Sequence, residues 1–551
     1  MPSSRPAFAL AEALVDQVAA DSPCLATFMG VSGHDDRWDD FSPAGVEARA
    51  ATWRRALAEL GALPPTDDVW EQLARDVIGD HATGELDVVE SGDHLLDLNS
   101  LVSPFQLPRL VLDSMPVDSA DDRERVRRRL LALPEALEGY RALLAEGLAQ
   151  QRVVGRRQVE AVLEQGAGLG GADATFGRLA ARCAEAEPDR AASFHEAAAE
   201  STRAYAELCR WLSTDYMPHA GPDPVGRERY TRAARRHLGM DLDVEDAYAW
   251  GWAEVGRLER EMAALAGSIL PGTTTREALD HLQTDPQFRD PTAAAFLARM
   301  RSCQERALSA LDGVHFVIPA GARELRVERA PAGGPPGAYY VQPGEGFSRP
   351  GTVWYSLESD TDIPWFDEVS TAFHEGFPGH HLQIATVVAQ SANLSRFQRT
   401  VGGNTGYAEG WALYSETLMG ELGFLESPAE RMGMYVGQLA RAWRVVVDTG
   451  LHLELQIPDN TGFHGGSWWT PALAVEAMHR RAGLSANTAQ SEVNRYLGWP
   501  GQAITYKLGQ RVMLDLRAAW LRRPGADLRS FHERVLSVGS VGLERLRAWV
   551  G

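Results

Sequence analysis

Within residues 331–351, eleven of twenty-one positions are Gly or Pro. No helix runs through such a stretch, because Pro removes a backbone donor and Gly pays most entropy on ordering. It therefore divides the chain. Before it, the sequence reads as helix after helix: residues 121–152 and 173–214 carry apolar side chains at three- and four-residue spacing. Residues 241–266 repeat the pattern, with Tyr248, Trp250 and Trp252 as core aromatics. Short β-branched and aromatic runs at 314–318, 339–341 and 352–356 predict a small sheet around the divide. From Asp367 onward the pattern is helical again, broken near 391–405, 458–467, 483–485 and 499–501. No fixed-period repeat marks a solenoid. The expected fold class is mainly α, with an N-terminal helical region over 1–310 and a second region over 311–551. At 551 residues the chain exceeds the size of a single core, yet the two regions read as one interlocked chain.

The densest chemistry lies in His374-Glu375-Gly376-Phe377-Pro378-Gly379-His380-His381. A helix-borne zinc site ordinarily sets two His one turn apart, with a Glu after the first. The imidazoles hold the metal and the Glu takes a proton from the water it activates. Here Pro378 stands where the second His would fall, and the next imidazoles come six and seven residues on. Positions six apart on an ideal helix are rotated ~120° from each other. Pro378 clashes with a helical carbonyl, Gly379 frees the backbone, and extra residues are often absorbed as a bulge with five-residue hydrogen bonding at functional sites. Such a bulge at Phe377-Pro378 would bring His374 and His380 onto one side. His380 is the expected second ligand and His381 the alternative.

A third ligand is expected on the next helix. Glu409 lies in Gly406-Tyr407-Ala408-Glu409-Gly410-Trp411, where a lone carboxylate is costly to bury unless it meets a cation or a partner. Glu416, two turns on, suits a supporting role behind a ligand. Two His and one Glu leave the fourth position of a catalytic zinc open. A His pair can instead cap a helix, and a Glu can pair with an Arg; it is the joint pattern that argues for metal. Glu375 is assigned as general base and Tyr506 as oxyanion donor. His452, four residues after Asp448, is a second donor or proton shuttle oriented by that carboxylate. Arg495 and Lys507 are candidates to grip a substrate carboxylate. The strand at 352–356, carrying Trp354 and Tyr355, is expected at the sheet edge, where an extended peptide would pair with it.

The chain resembles the bacterial family known as domain of unknown function 885. The likeness rests on the His-Glu-x-x-Pro-Gly-His segment at 374–380, on Arg349-Pro350-Gly351, on Val447-Asp448-Thr449-Gly450-Leu451-His452, and on Arg495-Tyr496 followed by Pro500-Gly501-Gln502 and Tyr506-Lys507. It implies a mostly helical, zincin-like metallopeptidase and supplies no substrate; the small sheet read from the β-prone runs is expected immediately upstream of the metal helix.

The expected function is zinc-dependent hydrolysis of amide bonds in short peptides. The alternatives are a metal-dependent hydrolase of a non-peptide amide or ester, and a non-catalytic helical scaffold. A di-iron oxidase needs paired Glu-x-x-His motifs, and only Glu476-Ala477-Met478-His479 matches. A formal charge of −21 disfavours nucleic acid and anionic membrane as partners. Cys24, Cys183, Cys209 and Cys303 are too scattered for a thiolate metal site or a disulfide framework. The opening residues show neither a basic flank before an apolar run nor a cleavage site, so a cytoplasmic protein is expected.

Overall fold

A computed structural model of the protein describes residues 5–169, 174–331 and 337–551. Residues 332–336 of the Gly/Pro-rich divide, residue 173 of the second helical stretch, and the first four residues lie outside it. The chain is mainly helical. It forms two compact units: one of Met1–Val225, Ser395–Val401 and Asn494–Trp499, the other of Gly226–Leu394, Gly402–Val493 and Pro500–Gly551.

The described residues of the first unit form helices joined by turns and loops, with an isolated bridge between Gly155 and Gly221. Its longest element, Ala120–Ala149, starts on a capping box in which Ser119 and Asp122 satisfy each other's backbone donors. Val126, Leu130, Leu133, Leu137 and Leu144 bury one stripe of it at helical spacing. Helix Ala191–Trp211 brings Phe194, Ala197, Ala198 and Tyr205 to the same core.

The second unit carries the histidine motif. In chain order its main elements are helices α1 (Val244–Ile269) and α2 (Ala293–Leu311), strands β1 (Leu325–Arg329), β2 (Gly337–Val341) and β3 (Gly351–Ser356), and helices α3 (Glu368–Glu375), α4 (His380–Ala389), α5 (Thr405–Glu421), α6 (Pro428–His452) and α7 (Thr505–Trp520). The three-stranded sheet is ordered β1-β3-β2, with β3 parallel to β1 and antiparallel to β2, and a separate antiparallel pair joins Arg289–Asp290 to Ile363–Pro364. The 352–356 strand is therefore central, not an edge. Both rows of its backbone groups are engaged by neighbours, and no peptide can be added there. The run at 314–318 is not a strand. It is a turn closed by one bridge between Asp312 and Phe316, and Phe316 instead stacks on His532 with ring centroids 4.4 Å apart.

Helix α5 is buried on nearly every face, from Tyr407 through Trp411, Leu413, Tyr414 and Leu418, as expected of an element at the centre of a core. Asn404 caps it by accepting from Tyr407 N–H. Gly410 lets α7 come close: a Cβ there would stand 2.6 Å from the Cα of Gly509. This tight crossing fixes the turn of α5 that carries Glu409.

Candidate metal centre

The motif does not form a bulged helix. α3 ends at Glu375, and α4 starts at His380 after a break that contains a cis Phe377–Pro378 peptide. Described π-helical turns lie elsewhere, at Leu212–Tyr216 and Ala477–Arg481. The expectation of one continuous helix fails because the Pro ring and two Gly remove the helical ladder outright, and tertiary partners take over the freed groups. Gln304 of α2 is the main one. Its amide donates to Ala372 O at 2.7 Å and accepts from Phe377 N–H at 2.7 Å. Trp411 of α5 donates to Pro378 O at 2.8 Å. Gly379 is required by space: a Cβ would fall 1.9 Å from His374 O.

The break redirects the chain so that His374 and His380 face one point, with ring planes at 88° and centroids 4.8 Å apart. Glu409 meets them there. Its Oε2 lies 3.4 Å from His374 Nε2 and 3.5 Å from His380 Nε2, and the three ligand atoms lie within 4.8 Å of one another. These separations are long for hydrogen bonds, and Glu409 Oε2 is buried without one. They suit a shared ion: two atoms each about 2.05 Å from a tetrahedral zinc stand about 3.3–3.4 Å apart. The donor set therefore fits a zinc-sized cation. Side-chain exposure is 3% for His374 but 13% for His380 and 18% for Glu409, so the accessible side of the cluster is the side of the latter two.

His381 faces the other way. It is fully buried, with Nδ1 against Tyr340 OH at 2.9 Å and Nε2 against Ala322 O at 2.8 Å. Burial pushes its pKa down to about 4, and the bond to Ala322 only partly opposes this. Both ring nitrogens are taken, and it serves to tie α4 to β2.

The other nitrogen of His374 is braced. Nδ1 lies 2.8 Å from Glu416 Oε1, an arrangement that keeps the proton on Nδ1 and leaves Nε2 for a cation. Glu416 is itself held, accepting from Ser370 Oγ at 3.2 Å and from Gln438 Nε2 at 3.1 Å. Gln438 Oε1 accepts in turn from Lys507 Nζ at 2.7 Å. Lys507 also donates to Glu254 and Gln510, both at 2.8 Å. All three of its protons are thus committed, and burial outweighs Glu254 to lower its pKa to about 8. Lys507 is not a substrate grip; it anchors a chain of hydrogen bonds ending at His374.

The electrostatics favour positive charge at the centre. Burial disfavours a charged His374, yet Glu409 and Glu416 outweigh it and raise its pKa to about 9. Burial likewise opposes ionised Glu409, but the two imidazoles hold its carboxyl well below the ordinary range. Glu375 is 9% exposed, and its carboxyl is raised, by burial first, with His374 and His380 opposing. Glu368, two turns earlier on α3, is pushed up to about 8 by burial and then by Asp367 and Glu375.

The remaining predicted residues fall as follows. Tyr506 stands on α7 under two guanidinium groups, Arg444 at 4.7 Å and Arg441 at 5.8 Å from its ring centroid. His452 is buried against Tyr230, ring centroids 5.5 Å apart, and 3.7 Å from Asp448 Oδ1. Asp448 Oδ2 accepts from Tyr230 OH and Gly501 N–H. The structure thus places His452 in a buried polar node and not among the three converging ligand atoms. Arg495 belongs to the first unit, its guanidinium 5.1 Å over the Tyr496 ring. Tyr355 is 2% exposed with its ring against Phe296 at 5.3 Å. It is a core residue, because period-two alternation turns it inward while Trp354 stays half-buried on the opposite face. Sequence reasoning missed Gln304, Gln438, Glu368 and Arg441. Only Glu368 had a local signal, its seven-residue spacing from Glu375.

A helical protein with a His-His-Glu centre is thus the class defined by fold and site. Residues 23–550 match the model of a family described as "Bacterial protein of unknown function (DUF885)", and the chain belongs to that family. No curated protein matches it. Solved structures that share its fold include two putative lipoproteins. One, described as "the putative lipoprotein from Colwellia psychrerythraea", is 22% identical with a TM-score of 0.86, covering 99% of this chain and 98% of that one. The other, "a putative lipoprotein of unknown function from Shewanella oneidensis", is 19% identical with a TM-score of 0.75, covering 98% and 99%. These descriptions overturn the cytoplasmic expectation, since lipoproteins are held at a membrane by a lipid anchor. Among the described residues, no helix is long and apolar enough to cross a membrane.

Proposed function

We propose that the protein is a zinc-dependent hydrolase, zincin-like in its catalytic region, that cleaves amide bonds of short peptides. The observation that carries this reading is Glu409 Oε2 standing 3.4 and 3.5 Å from two imidazole Nε2 atoms, beside a buried carboxyl on the residue next to one ligand. His374, His380 and Glu409 would hold the ion, which when bound polarises a water and the scissile carbonyl. Glu375 accepts the proton of that water and returns it to the leaving amine, a task its raised carboxyl suits. Glu416 fixes the tautomer of His374. Tyr506, next to Arg441, donates to the developing oxyanion.

Elemental analysis of untagged protein tests the centre: one equivalent of zinc is expected. Two equivalents of iron, or no metal, would overturn it. A peptide library read by mass spectrometry tests the reaction, with cleavage expected for short chains and abolished in Glu375→Gln.

A further inference from the structure

Arg441 of α6 is a cation without a hydrogen-bonded partner at a site rich in carboxylates. Its nearest carboxylate oxygen is Glu416 Oε1, 3.9 Å from an outer guanidinium nitrogen, too far for a hydrogen bond. Its Nε is buried and unpartnered. Among the described residues, no hydrogen bond from this guanidinium reaches any acceptor. The other basic groups nearby are taken: Lys507 makes three bonds and Arg444 pairs with Glu492 at 2.9 Å. A buried unpaired donor such as Nε is costly, while the side chain as a whole is 20% exposed, so its outer nitrogens can be reached by a ligand.

The position of Arg441 is also prepared. Gly437, one turn earlier, leaves room for the guanidinium, since a Cβ there would come within 2.8 Å of Nη1 and 4.0 Å of Glu416 Oε2. The ring of Tyr506 lies 5.8 Å from the guanidinium carbon and supports it from one side. Glu416, which Arg441 approaches, is the same carboxylate that braces His374. The free donors therefore stand one residue removed from the first metal ligand.

We propose that Arg441 seats the C-terminal carboxylate of a short peptide, which makes the enzyme one that measures its cut from the carboxyl end. The planar fork of a guanidinium matches a carboxylate with two parallel bonds, which a point charge such as Lys cannot do. The proposal rests on the hydrolase reading for its substrate, but not for its test.

The test is calorimetric and does not need turnover. Three probes are titrated into the full chain, both metal-free and zinc-loaded: N-acetylglycyl-D-phenylalanine, its C-terminal amide, and N-acetylglycyl-D-aspartyl amide. The free acid should bind about 10–100-fold more tightly than its amide, the range of a charge-assisted pair. Arg441→Met should abolish that difference and Arg441→Lys should restore part of it, with thermal unfolding and zinc content showing that each variant folds and loads. Equal affinity for acid and amide, no binding of the acid, or a preference that survives in Arg441→Met would overturn the assignment. Equal binding of the aspartyl amide and the free acid would overturn its terminal character. Loss of zinc with a retained Arg441-dependent acid preference would count against the hydrolase and leave this site standing.

Discussion

Glu416 Oε1 lies 2.8 Å from His374 Nδ1, so the helix that brings Glu409 to one nitrogen of this imidazole braces its other nitrogen two turns later. Seven residues on a helix return to nearly the same face, and α5 uses that return to grip one ring from both sides. His380 has no such brace, since its Nδ1 is buried without a hydrogen-bond partner among the described residues. The centre is thus braced from behind at His374 and, among the described residues, not at His380.

Glu416→Gln keeps the shape of the brace and removes its charge. Zinc affinity, measured by competition with a chromophoric chelator, should fall about 10–100-fold, the usual worth of a group holding a ligand from behind. An unchanged affinity would reduce Glu416 to a packing role.

Glu375→Gln separates metal from chemistry. The variant should retain one equivalent of zinc while turnover on any cleaved peptide drops by about 10²–10⁴-fold, the usual contribution of a general base. His374→Ala should lose the metal itself. Full turnover in Glu375→Gln would remove its assigned role.

Gly379→Ala tests the helix break. The added methyl would fall 1.9 Å from His374 O and 2.4 Å from Phe373 O, both of them backbone atoms that cannot swing aside. α3 and α4 would have to separate, lowering the thermal midpoint and the zinc content together. Wild-type values for both would show that the break tolerates a side chain.

His532 sets a pH dependence away from the centre. It is held neutral between Tyr414 OH at 2.7 Å and His315 O at 3.1 Å. Burial, only partly opposed by His315, lowers its pKa to about 3. The unfolded chain takes up the proton near pH 6.5 and the folded chain does not. The stability it contributes is therefore complete above pH 6.5 and is lost as pH falls toward 3, by up to about 1.4 kcal/mol per pH unit. The thermal midpoint should drop more between pH 7 and pH 5 in wild type than in His532→Gln. Parallel curves would contradict this.

Local signals in the sequence were enough for the helical class, for two of the three strands at the Gly/Pro divide (Leu325–Arg329 escaped them), and for the choice of His374, His380 and Glu409 as the residues to watch. Each rests on spacing within one segment: apolar periodicity, β-branched runs, or imidazoles and carboxylates at helical intervals. The manner in which His380 reaches the centre was not legible. The sequence showed that Pro378 must disturb the helix, but whether the chain bulges or breaks depends on who takes the freed backbone groups, and Gln304 and Trp411 come from other helices. The order of strands escaped for the same reason. Residues 352–356 look alike as edge or centre until β1 and β2 are placed on either side. The roles of Lys507 and Arg441 were likewise decided in three dimensions, because a basic side chain is a free grip or a spent one according to which acceptors long-range packing brings within 3 Å. Sequence determines which groups a segment offers; only the tertiary fold decides which of those groups are already satisfied.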